Sequence, residues 1–532
     1  MLFAKPDPFR VALNRVTFGA RDTDVATVNG MGWAAWIDDQ LAAPAGDNSA
    51  LTAHLNAQIM HIEYAAANTA QGSWNAVNED RGLNYVNAST PTLWNIARNA
   101  GVSISFNERT RIRQELAAVT WIRNAHSRYQ LREFMADFWH NHFNIGKNEN
   151  ELATALLPVY DRVAIRPHVF GNFRAMLEAN ATSSSMMLYL DNWVSTATTP
   201  NENYAREIME LHTLGEDSYY GTASPSSVPT GHFGYAVGFT DQDIIQASRV
   251  LSGWTIQGGQ RFGKTILPNT GEFTFNPAQH NTQAGTLLGL NVQSAVADNM
   301  NQGRLLLNML AYHPATANFI VRKLARRMFG DFAPQAVIDR GVGAWLAFQT
   351  APDQIARVLR AMLVTGNEIR EEPATKARRP YERLIALART TDMVLNASTL
   401  MTSLLDPLND HLFAWQAPNG RPDINEYWLA TGATVATWNL LQQFSYIPQV
   451  KTSFIAQTPT DVVTSATGVV EYWVGRMVGA TLSTPAMNAL VLDQAGTLGV
   501  PNVSRFASQI NLENAYRRLV GLIATSEEFT LR

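Results

Sequence analysis

Leu131-Arg132-Glu133-Phe134-Met135-Ala136-Asp137-Phe138-Trp139-His140-Asn141-His142-Phe143 is the stretch that decides the fold class. Leu131, Phe134, Met135 and Phe138 fall at i, i+3, i+4 and i+7, the spacing of one buried helix face. Phe319, Ile320, Leu324 and Met328 nearly repeat the pattern, as do Val358, Leu359, Met362 and Leu363. Helix starts are marked as well. Thr199-Pro200-Asn201-Glu202 predicts a Thr cap, Pro at the first helical position and Glu three residues after the cap. Thr240-Asp241-Gln242-Asp243 predicts another start, for a helix running through Leu251, and Gly215 predicts a stop after Leu214. Strand alternation is scarce. Glu272-Phe273-Thr274-Phe275, with both Phe on one face, predicts a small hairpin with Arg261-Phe262-Gly263. Gly253-Trp254 reads as a helix end with a large apolar anchor. The expected fold is mostly α: a large multi-helix domain with long loop insertions and minor β-hairpins.

At 532 residues the chain exceeds the usual size of one compact core. Five regions are expected: an N-terminal helical region (1–125), a central helical core (126–256), a loop and hairpin insertion (257–300), a helical region (301–405) and a C-terminal helical region (406–532). Loops concentrate at 215–240 and 257–285, rich in Gly, Ser, Thr, Pro and aromatic residues, and another polar stretch spans 408–432.

Composition narrows the function classes. Apolar residues make up 46%, enough for a sizeable core, whereas charged residues are only 16%. That balance is commoner outside the cytoplasm than inside it. With net charge −4 and no broad basic surface, nucleic acid is rejected as the main partner. The chain has no cysteine, which removes disulfides, thiolate ligands and cysteine nucleophiles together. No apolar run reaches the roughly 18 residues of a transmembrane helix. Met1 to Asp7 lack the features of a signal peptide, so either the protein stays inside or the numbering begins after a removed leader. No nucleophile elbow, phosphate-binding loop or His-Glu-x-x-His pair occurs.

The chemistry concentrates in two segments, Phe138 to Phe143 and Asn201 to His212. His140 and His142 point about 200° apart on a continuous helix. They converge only if the helix ends near Trp139 and the chain becomes extended, where i and i+2 share a face. In that geometry they would grip zinc, iron or copper; otherwise they are helix-end histidines bonded to carbonyls. Glu207 and Glu210 share a helix face. They read as metal ligands, as an acid–base pair, or as partners of Arg206, Arg166 or Arg174 in a buried ion-pair network. Asp191 could supply a further carboxylate, His168 could cap a turn, and His280 could contact a ligand from its Gly-rich loop. The expected site has His140 and His142 as imidazole ligands and Glu207 as carboxylate ligand of a divalent metal. Glu210 is then ligand or base, with His212 and Asp191 as supporting or proton-transfer groups.

These segments resemble a large bacterial family catalogued as domain of unknown function 1800. The similarity is carried by Leu13 to Gly19, Trp36 to Leu41, Phe138 to Phe143, Arg166-Pro167-His168 through Gly171 to Arg174, and Leu188 to Asn192. It continues through Asn201 to Gly215, Leu251 to Trp254, His313-Pro314 through Leu324, and Glu528-Phe529. The resemblance implies export to the periplasm, surface or exterior, often beside a phosphatase-like family, and implies no settled activity. Two departures stand out. His280-Asn281 replaces the family's His-Asp, and Pro418 to Pro422 replaces a Gly-Trp-rich segment. If that Asp were catalytic, this member would be structural.

Together these readings give an extracytoplasmic metal-dependent hydrolase or oxidoreductase acting on a polymer or envelope component. A non-catalytic scaffold forming homo-oligomers or filaments competes with it. The chain's 13 tryptophans and aromatic loops also suit a carbohydrate-binding protein contacting a glycan.

Overall fold

The computed structural model describes residues 7–44, 46–146, 151–231, 234–262, 265–293, 300–372, 374–495 and 509–532. Among them the chain is mostly helical, with 27 α-helices and only short two-stranded sheets. The helices used below are α1 (Pro8–Val16), α2 (Phe106–His126), α3 (Gln130–His142), α4 (Glu202–Glu210), α5 (Asp241–Val250), α6 (Pro314–Phe329), α7 (Gln354–Val364) and α8 (Pro380–Thr390). One continuous apolar core runs through all five sequence regions, from Ala12 to Phe529.

α3 lies at its centre. The stripe Leu131, Phe134, Met135 and Phe138 is buried as its spacing demands, but so are Arg132, Glu133 and Asp137 on the other faces. A helix covered all round by protein must pair such charges internally. α2 and the helix Trp33–Leu41 pack beside it, with α1 and a π-helical turn over Asp161–Ile165. π-helical turns recur where a side chain must be re-aimed, and this one places Asp161 against α3. α6 and α7 bury the faces expected of them.

Local signals decide most boundaries. Thr240 caps α5 with a reciprocal Thr240–Asp243 pair. α4 starts two residues later than the expected Thr199 cap. The Thr196 hydroxyl ties the amide of Thr199 into a turn, so Asn201 is left to cap α4, accepting from the Tyr204 amide at 2.9 Å. Gly215 does take a left-handed φ of 87°, although α4 already ends at Glu210.

The hairpins differ from expectation. β1 (Ile59–Tyr64) and β2 (Val77–Gly82) pair antiparallel with Ile59 opposite Gly82, an element that the sequence reading omits. β3 (Trp254–Gly258) pairs with β4 (Asn269–Phe275), Trp254 opposite Phe275 and Ile256 opposite Phe273. Trp254 is therefore the start of a strand. Arg261-Phe262 turns back on Thr265-Ile266 instead, while Gly263 lies outside the described residues. The apolar partner wins because Trp254 and Ile256 bury completely against the core. Among the described residues no helix is long and apolar enough to cross a membrane.

Candidate active site

α3 stays helical through His142, with the Phe143 amide closing on the Trp139 carbonyl at 2.9 Å. His140 and His142 therefore diverge, as helix geometry requires. His140 Nε2 meets Asp161 at 2.8 Å. Arg166 holds the same carboxylate at 2.8 Å and Arg123 stands 3.8 Å away. Although burial opposes ionisation, Arg166 and His140 hold Asp161 far below the usual carboxylate range.

His142 faces the opposite way. Its Nε2 stands 3.1 Å from the His212 carbonyl and its Nδ1 3.0 Å from Lys323 Nζ. A carbonyl only accepts, so the proton of the neutral imidazole sits on Nε2. Nδ1 is then a lone pair that accepts from Lys323. Burial, with Lys323 beside it, pushes His142 well below its ordinary pKa, so the neutral form is the resident one.

Lys323 projects from α6 beside Phe319, its Nζ 5.2 Å from the ring centre. Burial pushes its amine down to about 8. It stands at the wall of a cavity of about 310 Å³. α3 contributes Asp137, Phe138, Asn141 and His142 to the lining, and α6 contributes Phe319, Lys323, Arg326 and Arg327. Arg379 enters from the start of α8 and Glu210 from the end of α4, with Glu216 just beyond. The loop Asn419 to Asp423 closes the remaining side.

Asp137 organises the charged floor. Its carboxylate meets Arg327 at 2.9 Å, Arg379 at 2.6 Å and Arg421 at 3.4 Å. Arg421 arrives from the loop, which α3 clamps directly. The Asn141 side chain accepts from the Arg421 amide at 2.8 Å and donates to the Arg421 carbonyl at 3.0 Å. Gly420 makes this approach possible, because a Cβ there would sit 2.1 Å from the Asn141 carbonyl oxygen at a φ of +75°. Gly420→Ala is therefore expected to cost about 2–3 kcal/mol and to release the loop. Thermal melting with limited proteolysis at the loop measures it; unchanged melting and cleavage would remove the clamp from the account.

The other expected residues are dispersed. Glu207 and Glu210 do share a face, but Glu207 is not part of the cavity wall. Burial and the Glu210 charge raise its carboxyl to about 7. Among the described residues neither Glu is in a close ion pair with the three expected arginines: Arg206 pairs with Asp241, though its charge still acts on Glu207, Arg166 pairs with Asp161 and Glu133, and Arg174 with Glu178. His212 is buried with neither ring nitrogen hydrogen-bonded, and burial pushes it down to about 3. Its carbonyl orients His142. Asp191 adopts a left-handed φ of 59° at the turn before α4, and burial raises its pKa. His168 ends a short 3-10 turn. His280 spends both ring nitrogens, on the Ser252 carbonyl at 2.8 Å and Gln302 at 3.1 Å. The expected ligand set of His140, His142 and Glu207 is not assembled. Among the described residues, no group of three or more His, Asp or Glu is placed to hold a metal ion.

A carboxyl whose folded pKa exceeds its unfolded value binds more protons when folded, so its stability contribution is lost as pH rises. For Glu207 that window runs from its ordinary 4.5 up to about 7. Glu207→Gln should therefore gain about 1 kcal/mol at pH 8, after discounting for partial exposure, and nothing at pH 4. Urea denaturation at the two pH values checks this, and an equal effect at both contradicts it.

The sequence reading gives Lys323 and the floor of Asp137, Arg327, Arg379 and Arg421 no role in a site. One signal was available: Lys323 is one of only six lysines in the chain and sits one residue before the buried Leu324. A family model does find the same end-to-end similarity. No curated protein and no solved structure matches the chain. The model described as protein of unknown function (DUF1800) matches residues 11–531, and the chain belongs to that family.

Proposed function

We propose that this protein is an enzyme that carries out proton-transfer chemistry in the cavity, with Lys323 as the base. The observation that carries the reading is the chain Lys323–His142–His212 carbonyl. The fixed tautomer of His142 can only accept from the amine, so it orients Lys323 without competing for its proton. A lysine lowered towards neutral pH by burial is neutral often enough to accept a proton, the condition for an efficient general base. Glu210, at the end of α4, supplies a carboxyl to the same cavity. A hydrolase or a lyase fits this equipment. The divalent-metal reading would need ligands other than His140, His142 and Glu207. Family resemblance and the low charge content support a place outside the cytoplasm.

A second reading is a non-catalytic assembly or glycan-binding protein. It is favoured by the exposed Ile424, Tyr427, Leu429, Val435 and Trp438 close together in the chain, a set suited to a second copy or a polymer. Screening phosphate esters, carboxylic esters, amides and glycosides with wild type and Lys323→Met separates the two. Turnover that the variant loses supports the enzyme. Turnover equal in both overturns Lys323 as the base, and turnover in neither while the protein assembles supports the second reading.

A further inference from the structure

The cavity lining sets five cations, Lys323, Arg326, Arg327, Arg379 and Arg421, beside four acids, Asp137, Glu210, Glu216 and Asp423. Arg327, Arg379 and Arg421 form its floor, and Arg378, Arg383 and Arg532 are buried as well. Among the described residues, the acids in ion-pair reach of these six are Asp137, Glu382 and Asp410. These three carboxylates answer the lining arginines Arg327, Arg379 and Arg421, which leaves Lys323 and Arg326 of the lining in no ion pair among the described residues; Arg378, Arg383 and Arg532 stand outside the lining. Arg378 and Arg383 lean on backbone carbonyls instead.

The strain of this crowding is visible in individual groups. Burial, with Arg532 beside it, pushes Arg378 down to about 9. Burial and the neighbouring Arg379 lower Arg421. On the two lining arginines Arg327 and Arg421, each more than nine-tenths buried, Nε lacks a hydrogen-bond acceptor. Arg421 Nε stands 3.8 Å from Asp410, beyond hydrogen-bond reach. Lys323 and Arg326 add two more cations at the same wall. Asp423, the further acid of this side, shares Lys376 with Asp331, at 3.0 and 3.1 Å, and its charge also acts on Arg327. Glu210 and Glu216 come from a different segment, α4 and the turn after it.

Cations and guanidinium N–H groups left unpaired at a half-buried wall are costly unless an anion answers them. Guanidiniums presented together match the oxygens of a phosphate, which carries up to two negative charges near neutral pH. A carboxylate would answer only one of them.

We propose that the cavity seats a dianionic phosphate group among Arg326, Arg327, Arg379 and Arg421, next to Lys323. The proposal rests on the cavity being the active site, and it makes the substrate a phosphorylated one or phosphate itself. The anion would complete the floor that Asp137 satisfies only in part. It would also leave the Glu210 side for the uncharged or cationic part of the ligand.

Titration of the full chain at pH 7.5 with inorganic phosphate and with phenyl phosphate, against sodium chloride of equal ionic strength, tests this by calorimetry and thermal melting. The expected result is saturable binding that raises the melting temperature beyond the chloride control. Arg326→Gln, on an exposed position of α6, keeps the fold and should weaken it about tenfold. Binding of both probes points to a phosphorylated substrate, and binding of inorganic phosphate alone points to the free ion. Phosphate acting no differently from chloride, or binding Arg326→Gln as tightly as wild type, overturns the proposal. Both readouts are independent of turnover. Lys323-dependent turnover without phosphate binding would sink this inference alone, and phosphate binding without Lys323-dependent turnover would sink the enzymatic reading alone.

Discussion

Asp137→Ala is expected to destabilise the protein by about 3–5 kcal/mol, the range seen when one partner of a buried ion pair is removed. Its carboxylate is the meeting point of Arg327, Arg379 and Arg421, which come from α6, the start of α8 and the loop after Asn419. Removing it leaves three guanidiniums facing one another in the core. Glu382 and Asp410 remain, but they already divide their charge between Arg327, Arg379, Arg421 and Arg532. Asp137→Asn should lose less, because an amide oxygen still accepts from one or two of the arginines. Urea denaturation of the three proteins gives the comparison. A loss under about 1 kcal/mol for Asp137→Ala would mean that the floor does not depend on this residue.

Lys323→Met should abolish turnover while leaving the fold intact or firmer. Met preserves the unbranched stem against Phe319 and deletes only the amine. Loss of a general base costs about 10²–10⁴ in rate. The stability change has the opposite sign. The folded pKa, about 8, lies below the ordinary 10.5, so the folded protein binds fewer protons between these values. The lysine therefore weakens the fold below pH 8, and stability recovers as pH rises through the window. At pH 7 the variant should gain about 1–2 kcal/mol, discounted for partial exposure. Wild-type turnover should rise with pH through about 8, as the amine becomes neutral. A variant that is inactive because it is unfolded would contradict this assignment, since a purely structural lysine loses both properties together.

Much of the architecture was legible because helix signals are local. The stripe from Leu131 to Phe138, the Thr240–Asp243 cap and the scarcity of alternation each need only a few neighbouring residues. The hairpins were less legible, since Trp254 pairs with Phe275 across an insertion and nothing local specifies that register. The site was half legible. His142 and Glu210 stood out as polar groups between apolar ones, and both line the cavity. Their roles were not readable, because the choice between a metal pair and diverging histidines turned on whether α3 ended at Trp139 or ran on to His142. No site role for Lys323 or Arg421 was visible, for another reason. Each acquires its character from groups more than a hundred residues away, His142 for the lysine and Asp137 for the arginine.

Lys323 itself offers the most direct measurement. Competitive acylation with acetic anhydride across a pH series, read residue by residue by mass spectrometry, gives the pH at which each lysine is half neutral. The exposed Lys451 serves as the internal reference. A midpoint near 8 is expected for Lys323, shifted further downwards in His142→Phe, where the ammonium loses the imidazole lone pair that accepts from it. A midpoint at or above about 10.4, in the ordinary lysine range, would contradict the claim that this cavity contains a base.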